Sequence, residues 1–183
     1  SLTVQNGDNC PITVTENFDI QPLLTADFDN PPIACLEGNS FTFEAGGSFT
    51  NDASFVWTFE GGNPALSNSQ NPSGISFDAA GTHDVTLSIS EHGCTRDADG
   101  MVRIHINPVA DFNEFPLAGC VPLEVNFGNL SVSESSSIAY TWNFGDGVEA
   151  NGKNATHIYS TPGTYSVSLN VENLNGCIDS DFI

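Results

Sequence analysis

Five cysteines are the residues best equipped for chemistry in this chain: Cys10, Cys35, Cys94, Cys120 and Cys177. Thiols can ligate a soft metal, act as nucleophiles or close disulfides. No Cys-x-x-Cys pair is present, and cysteines spread this widely do not converge on a tetrahedral site, so disulfides are the favoured reading. Their spacing is periodic. Asn9-Cys10, Gly93-Cys94 and Gly176-Cys177 recur at intervals of 84 and 83 residues. Ala26-Asp27-Phe28 and Ala110-Asp111-Phe112, 84 apart, each precede one of the other two cysteines, Cys35 and Cys120. Within one period the spacings are 59 and 57 residues. This reading predicts Cys35–Cys94 and Cys120–Cys177 disulfides, with Cys10 bonded to a partner upstream of Ser1. Each bridge would contribute about 3–4 kcal/mol in the chain-entropy model. Disulfides place the protein outside the reducing cytosol.

The other reactive side chains show no catalytic pattern. His83, His92, His105 and His157 stand at no metal-ligand spacing. No nucleophile elbow, phosphate loop or His-Glu zinc motif occurs. Asp27 with Asp29, and Asp97 with Asp99, are two apart and share a strand face, which suits a cation better than acid/base work. Asp27, Asp29 and Asp111, close behind the links between repeats, are the candidate Ca²⁺ ligands, although no dense acidic cluster supports them. A solvated acidic coat is the preferred reading, and no cofactor is expected. Asn129-Leu130-Ser131 and Asn154-Ala155-Thr156 match the N-glycosylation pattern and carry little weight in so Asn- and Ser-rich a chain.

Charge narrows the partners. Three Lys and Arg stand against 23 Asp and Glu, a formal net charge of −20. Such a surface repels phosphate backbones and anionic lipid, so neither nucleic acid nor membrane is an expected partner. No apolar run reaches membrane-spanning length. The hydrophobic fraction of 39% is enough to fill small cores.

Short alternating runs broken by Gly, Asn, Asp, Ser and Pro dominate, which predicts an all-β sandwich architecture. Leu123 to Phe127, Tyr140 to Phe144 and Tyr165 to Val171 alternate in one repeat. Phe41 to Phe43, Phe55 to Phe59 and Val85 to Ile89 copy them in the other. Met101 to Ile106 reads as a last strand with Val102, Ile104 and Ile106 inward and Arg103 and His105 outward. The expected organisation is residues 1–24 as the C-terminal strands of a preceding module (Ile12 to Val14 and Phe18 to Ile20), 25–107 as one module, and 108–183 as another that stops part-way into its final strand. Pro22 and Pro108 stiffen links at matching places, predicting a semi-rigid string.

Trp142-Asn143-Phe144-Gly145-Asp146-Gly147, then His157-Ile158-Tyr159, then Pro162-Gly163-Thr164-Tyr165 and the strand to Val171 resemble the polycystic kidney disease (PKD) domain, an immunoglobulin-like β-sandwich of extracellular proteins. The first module is similar but divergent: Trp57-Thr58-Phe59-Glu60-Gly61-Gly62 replaces the Gly-Asp-Gly turn, Phe77 stands for Tyr159, Gly81 for Gly163 and His83 for Tyr165. Trp57 and Trp142 are expected between the sheets, Gly145 and Gly147 in a tight turn with Asp146 bonding nearby amides, and Tyr165 at a corner bonding upstream backbone. His83 is expected to replace that corner bond only in part.

The Gly-Cys pattern also resembles tandem PKD arrays of large secreted surface proteins of gliding and biofilm-forming Bacteroidota, which implies export by the type IX route and a longer parent chain. The expected function is a non-catalytic spacer of an extracellular adhesin or cell-surface filament. Its partners would be neighbouring modules and protein or glycan surface ligands. The alternatives are an accessory array that contacts substrate for a secreted hydrolase, and a filament subunit assembling by strand complementation.

Overall fold

The computed structural model describes residues 22–183, preceded by two strands, β1 (Leu2–Gln5) and β2 (Pro11–Val14), which pair antiparallel with Leu2 opposite Val14. Cys10, the Phe18 to Ile20 strand and most of the Ile20-Gln21-Pro22 link lie outside the described residues.

In chain order the next strands are β3 (Thr25–Asp27), β4 (Ala34–Cys35), β5 (Phe41–Thr42), β6 (Gly46–Ser48), β7 (Ser54–Phe59), β8 (Gly62–Asn63), β9 (Leu66–Ser67), β10 (Ser73–Phe77), β11 (Gly81–Glu91) and β12 (Cys94–His105). They build a five-stranded sheet ordered β4-β12-β11-β7-β9, a three-stranded sheet β5-β10-β8, and the pair β3-β6. Alternation sets the faces. In β11, His83, Val85, Leu87 and Ile89 are buried, while Asp84 between them is exposed. The side chains of Val85, Leu87 and Ile89 meet Phe41, Phe43, Trp57, Phe59 and Ile75 in one apolar core.

The strands that follow are β13 (Phe112–Phe115), β14 (Leu123–Asn129), β15 (Ile138–Asn143), β16 (Glu149–Asn151), β17 (Ala155–Tyr159), β18 (Ser168–Asn173) and β19 (Ile178–Phe182). They form sheets β13-β14-β17 and β16-β15-β18-β19 around a second core of Phe127, Trp142, Phe144, Leu169 and Val171. The described residues contain no helix. Two β units with separate cores therefore follow one another, the first over 24–105 and the second over 109–183.

The long hairpin β11–β12 turns at His92 and Gly93, both with positive φ (50° and 79°), the backbone of a two-residue primed turn that matches strand twist. Its far end decides the junction. There β4 lies parallel against β12, with Cys35 beside His105. Cys94 opens the same strand. Twelve residues of β12 at ~3.3 Å each separate these ends by about 36 Å.

That distance overturns the expected Cys35–Cys94 bridge. The Cys120–Cys177 bridge fails for the same reason. Cys177 sits at the head of β19, whereas Cys120 shares a cavity with Ile183 at its foot, about 20 Å away. The disulfide present is Cys35–Cys177, with Cα atoms 5.4 Å apart, and it joins the two units. Cys94 and Cys120 are free thiols and exposed. Ile106, expected in the core, is 38% exposed, because β12 ends at His105 and the chain leaves the sheet there.

Candidate functional site: a stapled junction between two β units

The link 105–110 is bonded from both sides. The Leu36 amide donates to the His105 carbonyl at 2.7 Å, extending the β4–β12 pairing. The Asn107 amide group then spans the gap: Oδ1 accepts from the Glu37 amide of the first unit at 3.1 Å, and Nδ2 donates to the Ile178 carbonyl of the second at 3.1 Å. Asn173 does the converse from the second unit. Its Nδ2 donates to the Ile106 carbonyl at 3.1 Å, and its Oδ1 accepts from the Asn175 and Cys177 amides at 3.0 and 3.1 Å. Beyond Pro108, the Ala110 amide donates to Asp179 Oδ2 at 2.7 Å.

These contacts share a logic. A link crossing between two cores has backbone groups that no sheet satisfies, and each must find a partner. Side-chain amides supply both a donor and an acceptor, so one Asn can tie both units. Asn173 is 6% exposed and Cys177 fully buried, so water cannot replace the bond between them. The Cys35–Cys177 bridge closes the group covalently beside His105.

Asn107, Asn173 and Asp179 were absent from the sequence expectations. One signal was available. Val167, Leu169, Val171 and Asn173 occupy successive inward positions, all buried, and a polar residue at the end of such a series calls for a dedicated partner.

The residues of the PKD-like string form a second, structural constellation. Asp146 caps its turn by accepting from the Val148 amide at 3.1 Å and meets His157 Nε2 at 2.7 Å. Burial pushes the Asp146 carboxyl up, but the His157 hydrogen bond and the Val148 amide together hold it below its ordinary 3.8. Gly145 is obligatory: its φ is +77°, and a Cβ there would lie 2.4 Å from the Ser166 carbonyl oxygen. Gly147 also has positive φ, 89°. The His157 ring stacks on Phe144 at 4.3 Å. Tyr159 donates to the Phe144 carbonyl at 2.9 Å, and burial, then the Asp146 charge, push its hydroxyl up to about 12. Tyr165 packs on Tyr159 and donates to the Thr161 carbonyl, four residues back, at 2.8 Å. Gly163 lies under the Tyr165 ring.

In the first unit His83 occupies the Tyr165 place. Its Nε2 lies 2.9 Å from the Ala79 carbonyl, also four residues back, and Nδ1 lies 3.0 Å from the Glu60 carbonyl. The imidazole therefore reaches the equivalent corner carbonyl and a second one besides. Trp142 Nε1 donates to the Gly152 carbonyl at 2.9 Å, whereas Trp57 Nε1 is buried without a partner.

The acidic candidates are dispersed. Asp27, Asp29 and Asp111 are exposed, and Asp27 accepts from the Phe28 amide. Asp97 and Asp99 accept from the Ser88 and Thr86 hydroxyls across the hairpin. Among the described residues no three His, Cys, Asp or Glu side chains come together as metal ligands.

Comparison with known proteins fits this geometry. Residues 105–182 match the family model "PKD domain". Collagenase ColA of Clostridium perfringens is 34% identical over 103 residues, which is 55% of this chain and 9% of that protein. Collagenase ColA of Bacillus cereus is 38% identical over 63 residues, 33% of this chain and 7% of that protein. The chain thus spans under a tenth of the length of either collagenase. A crystal structure of the N-terminal eight Ig domains of Down syndrome cell adhesion molecule aligns with a TM-score of 0.55 at 10% identity, covering 88% of this chain and 27% of that one, a likeness of fold alone. The second unit, with its Gly-Asp-Gly turn and tyrosine corner, is thus the part of the chain that matches the PKD domain model, and its fold is an immunoglobulin-like β-sandwich.

Proposed function

We propose that the chain is a non-catalytic, force-bearing spacer of an extracellular surface protein, an adhesin stalk or filament. The observation that carries this reading is the Cys35–Cys177 bridge. It spans 142 residues, and those residues include nearly all of both units. Tension along the chain passes from Cys35 through the disulfide to Cys177 and bypasses both cores. About 500 Å of chain, at ~3.5 Å per residue, is withheld from extension. The bridge also fits an oxidising compartment, and the acidic surface favours solubility there.

Single-molecule pulling from the two ends tests it. Under oxidising conditions neither unit releases its length. In dithiothreitol two unfolding events add about 500 Å in all. Full extension of the oxidised chain at forces that break no disulfide rejects the force-bearing role.

The likeness to two collagenases favours a second reading, an accessory array that contacts substrate for a secreted hydrolase. Cosedimentation with collagen fibrils separates the two. Saturable binding by this chain alone moves the function to substrate contact, and absence of binding leaves the spacer.

A further inference from the structure

We propose that Cys120 and Cys94 are the two open halves of the same staple: Cys120 receives the Gly-Cys hairpin of a following unit of this repeat, and Cys94 is offered to a preceding one. The occupied junction supplies the template. There the β4-segment cysteine of one unit, Cys35, bonds the hairpin cysteine of the next, Cys177. Cys120 holds the Cys35 place in the second unit, and Gly93-Cys94 holds the Gly176-Cys177 place in the first. Burial tracks occupancy: Cys177 is fully buried in its bond, whereas Cys94 and Cys120 are exposed.

Cys35 lies in β4 against β12, whereas Cys120, at the same place in the repeat, lies in a segment with no strand partner among the described residues. Cys120 opens on an apolar cavity of about 780 Å³ lined by Val125, Phe127, Tyr159, Gly163 and Ile183. In the first unit the corresponding Phe41, Phe43 and Phe77 are buried in one core with Val102 and Ile104 of β12. The strand then runs to His105, and Leu174 and Asn175 of the next hairpin face Ala80 and Gly81. Phe115, Leu117 and Phe182, each at least 76% exposed, stand on the second unit as unpartnered apolar surface.

Bond formation is a thiol–disulfide exchange with a low-molecular-weight disulfide such as oxidised glutathione. The thiolate of Cys120 attacks one glutathione sulfur and releases one glutathione thiolate. The incoming hairpin thiolate then attacks Cys120 Sγ and releases the second. Two thiol protons go to the two glutathione thiolates, and the two electrons reduce glutathione disulfide. Such staples overlap along an array, because Cys120 lies inside the loop closed by Cys35–Cys177. This deepens the stalk reading, yet its test reads a bond and not a force, so either can fail alone.

The test extends the chain by repeating residues 101–183 after Ile183, which continues β19 and adds one unit. The protein is folded in glutathione buffer and mapped by mass spectrometry of a non-reduced digest. The Cys35–Cys177 peptide reports folding. The expected map links Cys120 to the Cys177 copy of the added unit and leaves Cys94 alkylatable. Cys120 left alkylatable, or bonded elsewhere, with Cys35–Cys177 intact, overturns the proposal. A second variant needs no added unit. In Cys35→Ser of the 183-residue chain, Cys120 and Cys177 remain alkylatable, being at opposite ends of one unit. A Cys120–Cys177 bond in that variant overturns the assignment.

Discussion

Asn173 and Ile106 are bound across the junction: the buried Asn173 amide donates from Nδ2 to the Ile106 carbonyl 3.1 Å away, the first backbone oxygen after β12 ends. The same side chain accepts two amides of its own hairpin. Asn173→Ala therefore leaves a carbonyl and two amides without partners. The expected cost is about 1–3 kcal/mol, chiefly for the buried Cys177 amide left without a partner. The check is thermal unfolding together with small-angle scattering. The variant should show a lower melting temperature and, after reduction, a broader spread of interunit distances than the reduced wild type.

The Cys35–Cys177 bridge closes a 142-residue loop, for which the chain-entropy model gives about 5 kcal/mol. Cys35→Ser and Cys177→Ser remove the same bond, so the two variants should show equal shifts in urea unfolding by tryptophan fluorescence. Each is expected to resolve into two transitions, one per core, as independent units do. Unequal shifts would mean that Cys177, fully buried, has a packing role that the half-buried Cys35 does not share.

Much of this architecture was legible because strand alternation reports burial directly. Val85, Leu87 and Ile89 alternate with polar residues, and so do Val167, Leu169 and Val171; both series are buried. The period showed which cysteines are equivalent. It could not show which ones bond, because repetition fixes equivalence and not the direction in which each end points. The pairing depends on strand length: twelve residues of β12 carry Cys94 away from Cys35, and the partner must then come from the next unit. Ile106 was misplaced for a related reason. Its alternation continues that of Val102 and Ile104, but the sheet stops one residue earlier, where Leu36 takes the His105 carbonyl.

The two core tryptophans are unequal. Both are fully buried, but Trp142 Nε1 donates to the Gly152 carbonyl while Trp57 Nε1 has no partner. Replacing each by Phe removes similar volume. Trp142→Phe also strands the carbonyl, whereas Trp57→Phe removes an unpaired buried donor. The former should cost more by about 1 kcal/mol. Urea midpoints of the two variants, each compared with wild type, measure the difference.

Acid should act on the second unit through Asp146. Its carboxyl is held below the ordinary 3.8 in the folded state. A depressed folded value means the contribution is present above the unfolded value and is lost as pH falls through the folded one. Asp146→Asn should therefore be less stable than wild type at pH 6. The gap should narrow as pH drops below about 4. Melting temperatures at pH 6, 4 and 2.5 test the sign. A gap that widens on acidification contradicts it.

Alkali should act in the opposite sense through Tyr159. Its hydroxyl is pushed from the ordinary 10.0 to about 12 by burial and by the Asp146 charge, and it donates to the Phe144 carbonyl at 2.9 Å. A raised folded value gives a contribution fully present below the unfolded value and lost as pH climbs through the folded one. Wild type should thus lose stability between pH 10 and 12, as the phenolate that forms can no longer donate and faces Asp146. Tyr159→Phe cannot ionise there. It should be weaker by about 0.5–1.5 kcal/mol at pH 8 for the missing hydrogen bond, yet fall less steeply from pH 10 to 12. Urea midpoints of both proteins at pH 8, 10 and 11.5 decide it, and parallel declines would place the alkaline loss at a residue other than Tyr159.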